Sequence, residues 1–147
     1  MHLVKLRWHF LKSKSGQEVL DHIEGFYMFL HKSNIIYIGQ VYYKSLRDRI
    51  KEHLRGDPLW KWIERNYDTR NISIKIAEIE DIGQERINRK LVNDMEGLLI
   101  AIEQPEGNIQ CIKTYRGRDL KIVNLGKKEP LPKTLSTDML DRSSEIF

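Results

Sequence analysis

Gly25-Phe26-Tyr27-Met28-Phe29-Leu30-His31-Lys32-Ser33-Asn34-Ile35-Ile36-Tyr37-Ile38-Gly39 is the stretch on which the fold turns. It reads as two short runs rich in aromatic and β-branched residues, parted by a polar His31-Lys32-Ser33 break, and that pattern predicts a β-hairpin. A three-residue loop centred on Lys32 pairs Leu30 with Asn34, hence Tyr27 with Tyr37 and Gly25 with Gly39. Both phenols then share one face of the sheet. A loop one residue longer or shorter places them on opposite faces.

Working outward, residues 45–54 predict a helix capped by Ser45 and stopped before Gly56-Asp57-Pro58. Leu46, Ile50 and Leu54 recur every four residues as its buried stripe. Arg49 and His53 flank that stripe, and Arg47, Lys51 and Arg55 form a third, basic row. The row reads first as an ordinary solvated face, and as a phosphate-contacting surface only if the chain binds nucleic acid. Asp57 and Pro58 suit the cap and first position of a second helix reaching about residue 67, with Trp60 and Ile63 as core contacts.

Residues 72–79 alternate cleanly and predict a further strand. A helical pattern over 84–103 carries Ile87, Leu91, Leu98 and Ile102 on an apolar face, yet sets Glu96 among Val92, Leu99 and Ile100. A carboxylate in such surroundings is costly unless it is paired or holds a cation. Gly107 then turns the chain. Before the hairpin, residues 3–11 predict an additional strand and 17–23 a short helix. After it, residues 109–126 set Lys113, Arg116, Arg118 and Lys121 around Tyr115, a segment expected to be a surface hairpin. It suits phosphate and base contacts, and equally a plain charged surface.

Gly25-Phe26-Tyr27 and Tyr37-Ile38-Gly39 resemble the paired triplets of the GIY-YIG nuclease family, with Phe26 where Ile or Val is usual. The resemblance extends to Arg49 followed four residues on by His53, and to Glu96 followed twelve residues on by Asn108. It covers roughly residues 25–108 and implies an α/β sandwich, a small central antiparallel sheet of the hairpin plus one further strand flanked by helices. It also implies metal-dependent endonuclease cleavage of DNA. Glu96 then holds one divalent cation, Mg²⁺ or Mn²⁺. Arg49 holds phosphate oxygens, and Tyr37 orients water or phosphate. Tyr27 is the base acting on water, its pKa lowered by the metal and Arg49, with neutral His53 taking its proton. Asn108 braces the site. Gln40 stands where many members carry lysine, and the connection through Tyr42 and Tyr43 is slightly long. Arg49 rather than Arg47 is therefore chosen for its interval to His53. Two other classes remain open: a GIY-YIG scaffold that binds nucleic acid without cutting, and a structural domain with no such partner.

With 147 residues, 40% apolar and 31% charged, the chain is expected to form one domain over 1–126. That domain comprises a core at 25–108, an N-terminal extension at 1–24 and an accessory basic segment at 109–126; residues 127–147 are expected to be a loose tail. A net charge of +4 favours a polyanionic partner such as DNA, with a homodimer conceivable for cutting both strands. The single cysteine, Cys111, excludes an internal disulfide and suits a reducing compartment. No run approaches the ~18 apolar residues of a membrane span, and the charged start of the chain does not read as a signal peptide, so the expected location is cytoplasmic.

Overall fold

The computed structural model describes residues 1–111 and 115–140, the side chains of 109–111 excepted. In chain order the elements are β1 (His2–Phe10), α1 (Lys14–Val19), β2 (Glu24–His31), β3 (Asn34–Tyr42), α2 (Leu46–Leu54), α3 (Pro58–Asn66), β4 (Ile72–Asp81), α4 (Arg89–Glu103), β5 (Leu120–Gly126) and β6 (Thr134–Ser136). The fold is α/β: a sheet lies between α4 on one face and α1, α2 and α3 on the other. Among the described residues no helix is long and apolar enough to cross a membrane.

The sheet is larger than the sequence pattern implies. Its strand order is β3-β2-β4-β1-β5-β6. The N-terminal strand, which the family resemblance leaves unassigned, is interior: β1 pairs antiparallel with β4 and parallel with β5. Among the described residues of 109–126 the one strand, β5, docks between β1 and β6 instead of forming the expected hairpin. Nor is the chain beyond 126 loose up to residue 140. Asn124, fully buried, accepts from Trp8 Nε1 at 3.0 Å and donates to the Pro132 carbonyl at 3.0 Å. Lys75 Nζ donates to the Glu129 carbonyl at 2.6 Å, and Leu131 and Leu135 are buried in the core. No periodicity betrays this segment because a three-residue strand and single anchors are too short to have one.

The hairpin forms with a different register. Tyr27 lies opposite Gly39 and Phe29 opposite Tyr37, while His31 pairs with Asn34 around the two-residue loop Lys32-Ser33, where Lys32 has φ +56°. A loop one residue short would by itself send the phenols to opposite faces. A β-bulge at Ile36 inserts the compensating residue and restores the parity. Both tyrosines thus share the face toward α2, as expected, but diagonally, with ring centroids 6.1 Å apart. The close approach explains Gly39: a Cβ there would lie 2.3 Å from Tyr27 Cζ. β2 is buried on both faces, with Phe26, Met28 and Leu30 toward α4 and Tyr27 and Phe29 toward α2 and α3. That is why it reads as a continuous apolar run rather than an alternation.

Ser45 caps α2 by accepting from the Asp48 N–H, and Asp57 caps α3 by accepting from the Trp60 N–H. Leu46 and Ile50 are buried as the stripe requires, but Leu54 is 43% exposed and His53 takes the inner position instead. Helix α4 starts at Arg89, not at 84, because Asn88 caps it by accepting from the Leu91 N–H after Gly83 has turned the chain with φ +76°.

If the C-terminal segment belongs to the core, Leu135→Ala lowers unfolding stability by about 2–5 kcal/mol, the usual cost of emptying a fully buried leucine site. Urea titration followed by circular dichroism measures it; a loose tail would give a change near zero.

Candidate active site

β3 is an edge strand, and the sequence-predicted residues gather around it. Its outward backbone groups at Ile38 are met by Asn108, which follows α4 in a short 3₁₀ turn. The Asn108 amide accepts from the Ile38 N–H at 2.8 Å and donates to the Ile38 carbonyl at 2.8 Å, as a neighbouring strand would. Asn108 is buried, and these two bonds commit its side chain to the backbone. It is a positioning residue that fixes the end of α4 against the hairpin.

On the α2 face, the Tyr27 hydroxyl lies 2.7 Å from His53 Nε2, and His53 Nδ1 lies 2.6 Å from Asp57 Oδ2. A carboxylate only accepts, so Nδ1 carries the proton and Nε2 accepts from the phenol. Burial first, and then Arg49, holds His53 below its ordinary pKa, while Asp57 pulls the other way. His53 is therefore neutral near pH 7 and able to take a proton. Asp57 entered the sequence reading only as a helix cap. Its place four residues after His53, one helical turn on, was the signal for the second role, and one carboxylate serves both, with Oδ1 on the cap and Oδ2 on the histidine.

Tyr27 departs from expectation. Arg49 does draw its pKa down, but burial, followed by the nearby Tyr37, outweighs that and pushes the phenol above its ordinary value. The residue is 1% exposed. Without a metal the phenol thus rests protonated, its hydroxyl donating to His53. Tyr37 packs with its ring centroid 5.9 Å from His53 and 6.2 Å from Phe29, more open to solvent than Tyr27. Arg49 is aimed by Glu52, which accepts from its guanidinium at 3.0 Å and also takes Lys44.

On the α4 face, Glu96 sits in the apolar surroundings its sequence neighbours imply. Burial pushes its carboxyl up from 4.5 to about 7, against the pull of the Gln40 amide and of Arg49. Gln40 Nε2 donates to Asn93 Oδ1 at 2.6 Å, while Gln40 Oε1 is buried without a hydrogen-bond partner among the described residues. A desolvated carboxylate that has only the Gln40 amide as hydrogen-bond partner, with that amide's own oxygen unpartnered, fits one protein ligand of a hard divalent cation that keeps most of its waters. No group of three or more His, Cys, Asp or Glu is placed to hold a metal among the described residues.

The expected nucleic-acid contacts are only partly brought together. Arg47 pairs with Asp21 at 3.0 Å, and Lys51 and Arg116 are exposed. Arg118 is corrected: it donates to Asp94 at 2.9 Å and Glu85 at 2.9 Å, tying the start of β5 to α4, and is spent on that network. Lys113 lies outside the described residues. Two cations that the sequence did not single out, Lys44 and Arg89, instead join Arg49 around a cavity of about 230 Å³ completed by Gln40, Val41 and Tyr42. A larger cavity of about 540 Å³, lined by Asp119, Thr137 and Asp138, lies at the opposite end of the sheet from this chemistry.

No protein-family model matches the chain, and no curated protein matches it. Among solved structures it is similar to the GIY-YIG N-terminal endonuclease domain of UvrC from Thermotoga maritima, in a point mutant bound to its catalytic divalent cation. Identity is 22% over 65% of this chain and 96% of that one, with a TM-score of 0.42. The site's own side chains, rather than that likeness, carry the functional reading.

Proposed function

We propose that the chain is a divalent-metal-dependent endonuclease that hydrolyses phosphodiester bonds in DNA. The observation that carries this is the buried line Tyr27, His53, Asp57 ending beside Arg49. A phenol raised in pKa, hydrogen-bonded to a histidine held neutral, is suited to proton transfer and has no structural need of Arg49 against it. A purely structural pair would be served as well by two apolar side chains.

Hydrolysis requires a water to lose its proton as it attacks phosphorus, and the added charge on the phosphate to be neutralised as the bond to the leaving oxygen breaks. Tyr27 takes the proton from water while passing its own to His53 Nε2, and Asp57 stabilises the imidazolium that results. This concerted transfer avoids a free phenolate, which burial disfavours. Arg49, permanently charged and oriented by Glu52, donates to phosphate oxygens. Tyr37 flanks Tyr27 and orders water or phosphate. Glu96 and the Gln40 oxygen would hold the cation, which when bound supplies charge neutralisation and Lewis-acid polarisation of phosphate oxygen.

Cleavage of supercoiled plasmid tests the reading. Wild type nicks or linearises it with Mg²⁺ or Mn²⁺ and not with chelator, while Arg49→Ala and Glu96→Gln each lose at least about a hundredfold in rate, the scale of removing one charge-stabilising group. A wild type inert on plasmid, branched and single-stranded DNA would remove the nuclease and leave a binding module.

Asp57→Asn separates relay from cap, because asparagine caps a helix as well as aspartate. The rate falls roughly tenfold or more, and because Asp57 raises the His53 pKa, its loss moves the acid limb of the rate profile to lower pH. An unchanged rate and limb would confine Asp57 to capping.

Glu96 gives a stability signature of its own. With its folded-state pKa raised from 4.5 to about 7, the folded protein holds a proton that the unfolded chain has released in this window. Stability therefore falls as pH rises from about 4.5 to about 7. Without metal, Glu96→Gln melts higher than wild type at pH 8; Mg²⁺ raises the wild-type melting temperature and leaves the variant unmoved. Calorimetry across pH reads both.

A further inference from the structure

Tyr43 is, at 72%, the most exposed large apolar side chain among the described residues. It sits where β3 gives way to α2, with φ +61°, a left-handed conformation that a bulky side chain adopts only under constraint. The constraint is visible: the Tyr43 N–H donates to the Ile23 carbonyl at 2.8 Å. Its ring rests on Tyr42, with centroids 4.5 Å apart, and the Arg89 guanidinium lies 4.8 Å from the Tyr42 ring centre. Tyr42 in turn lines the cavity shared by Lys44, Arg49 and Arg89.

The ring packs on Tyr42 and hydrogen-bonds to it, yet most of its surface stays in water on a strained backbone. The surroundings define what would reward it. Three cations and no carboxylate line the cavity itself, although Glu52 is bonded to two of them and Glu24 and Glu96 lie near Tyr42 and Arg49. The complement is a strand negative along its backbone and flat in its side groups. An apolar peptide or a lipid tail would match the ring and leave the cations unanswered.

Resting on the nuclease reading of the adjoining site, we infer that Tyr43 is a stacking platform for a nucleobase flanking the phosphate that Arg49 holds, with Lys44 and Arg89 on the neighbouring phosphates. A base can reach an exposed ring only when it is out of its own stack. The substrate class is therefore DNA with an unpaired or extruded base beside the cut, rather than an undistorted duplex.

Equilibrium binding in chelator, where nothing is cut, tests the platform. The probes are a fluorescein-labelled single-stranded oligothymidylate and an oligonucleotide of equal length made wholly of abasic sites, which keeps the phosphates and lacks the bases. Asparagine tolerates the left-handed backbone, so Tyr43→Asn removes the ring without adding strain. It weakens oligothymidylate binding about tenfold and leaves the abasic strand unaffected, while Tyr43→Phe restores wild-type affinity. Arg89→Ala weakens both probes and lowers the salt slope by about one.

Equal binding of oligothymidylate by wild type and Tyr43→Asn would overturn the platform and leave the exposed ring to some other partner, such as a protein. Cleavage of plasmid, branched and single-stranded DNA with Mg²⁺, run alongside, keeps the two readings apart. A cleaving enzyme indifferent to Tyr43 in binding defeats the stacking alone. Tyr43-dependent binding without cleavage supports the stacking and defeats the nuclease.

Discussion

A phenol laid across a glycine holds this site together. Tyr27 lies over Gly39 so closely that no Cβ fits between them, and its hydroxyl donates to His53, which is anchored in turn to the first residue of the turn into α3. One ring therefore fixes the two strands of the hairpin, the inner face of α2 and the start of α3 relative to each other. Because the ring is buried, its hydroxyl must be satisfied, and His53 is the group that satisfies it. Packing and proton transfer make the same demand on the same atoms.

The triplets and the intervals from Arg49 to His53 and from Glu96 to Asn108 were legible because each is a local pattern with a chemical reason. The α/β class followed from the hairpin, the alternating strand at β4 and the helical periods. What the sequence concealed was long-range or compensatory. The bulge at Ile36 leaves no mark in composition, yet without it the short loop would have turned Tyr37 away from Tyr27. The placing of β1 between β4 and β5 depends on pairings 65 to 76 residues apart with β4 and 118 apart with β5, which no window registers. Arg118 looked like a phosphate ligand because its neighbours in sequence are basic; its neighbours in space, Asp94 and Glu85, are acidic.

Two opposed solutions to burying polar groups stand on either side of β3. On the α2 face every polar atom of the Tyr27, His53 and Asp57 line is paired, so the chain is neutral apart from its outermost carboxylate. On the α4 face Glu96 is desolvated with only the Gln40 amide as hydrogen-bond partner, and Gln40 Oε1 has no hydrogen-bond partner among the described residues. The first arrangement is rigid and self-sufficient, as a proton path must be between turnovers. The second stores unfavourable desolvation that a cation relieves. Natural sites depart from full polar satisfaction where a ligand completes them.

The interior position of β1 also bears on how the chain is made and how it can be divided. β1 precedes both of its partners in the chain, so it is enclosed only after β4 and then β5 have left the ribosome. Once β4 has paired with it, β1 presents an open edge until β5 arrives, a template for pairing with other chains. A fragment trimmed to residues 25–108, which holds all the residues of the chemistry, would lack β1 and leave the β4 edge of alternating isoleucines open permanently. The strands outside the nuclease-like core thus act as an internal chaperone for it, and minimal versions of this protein must retain both ends.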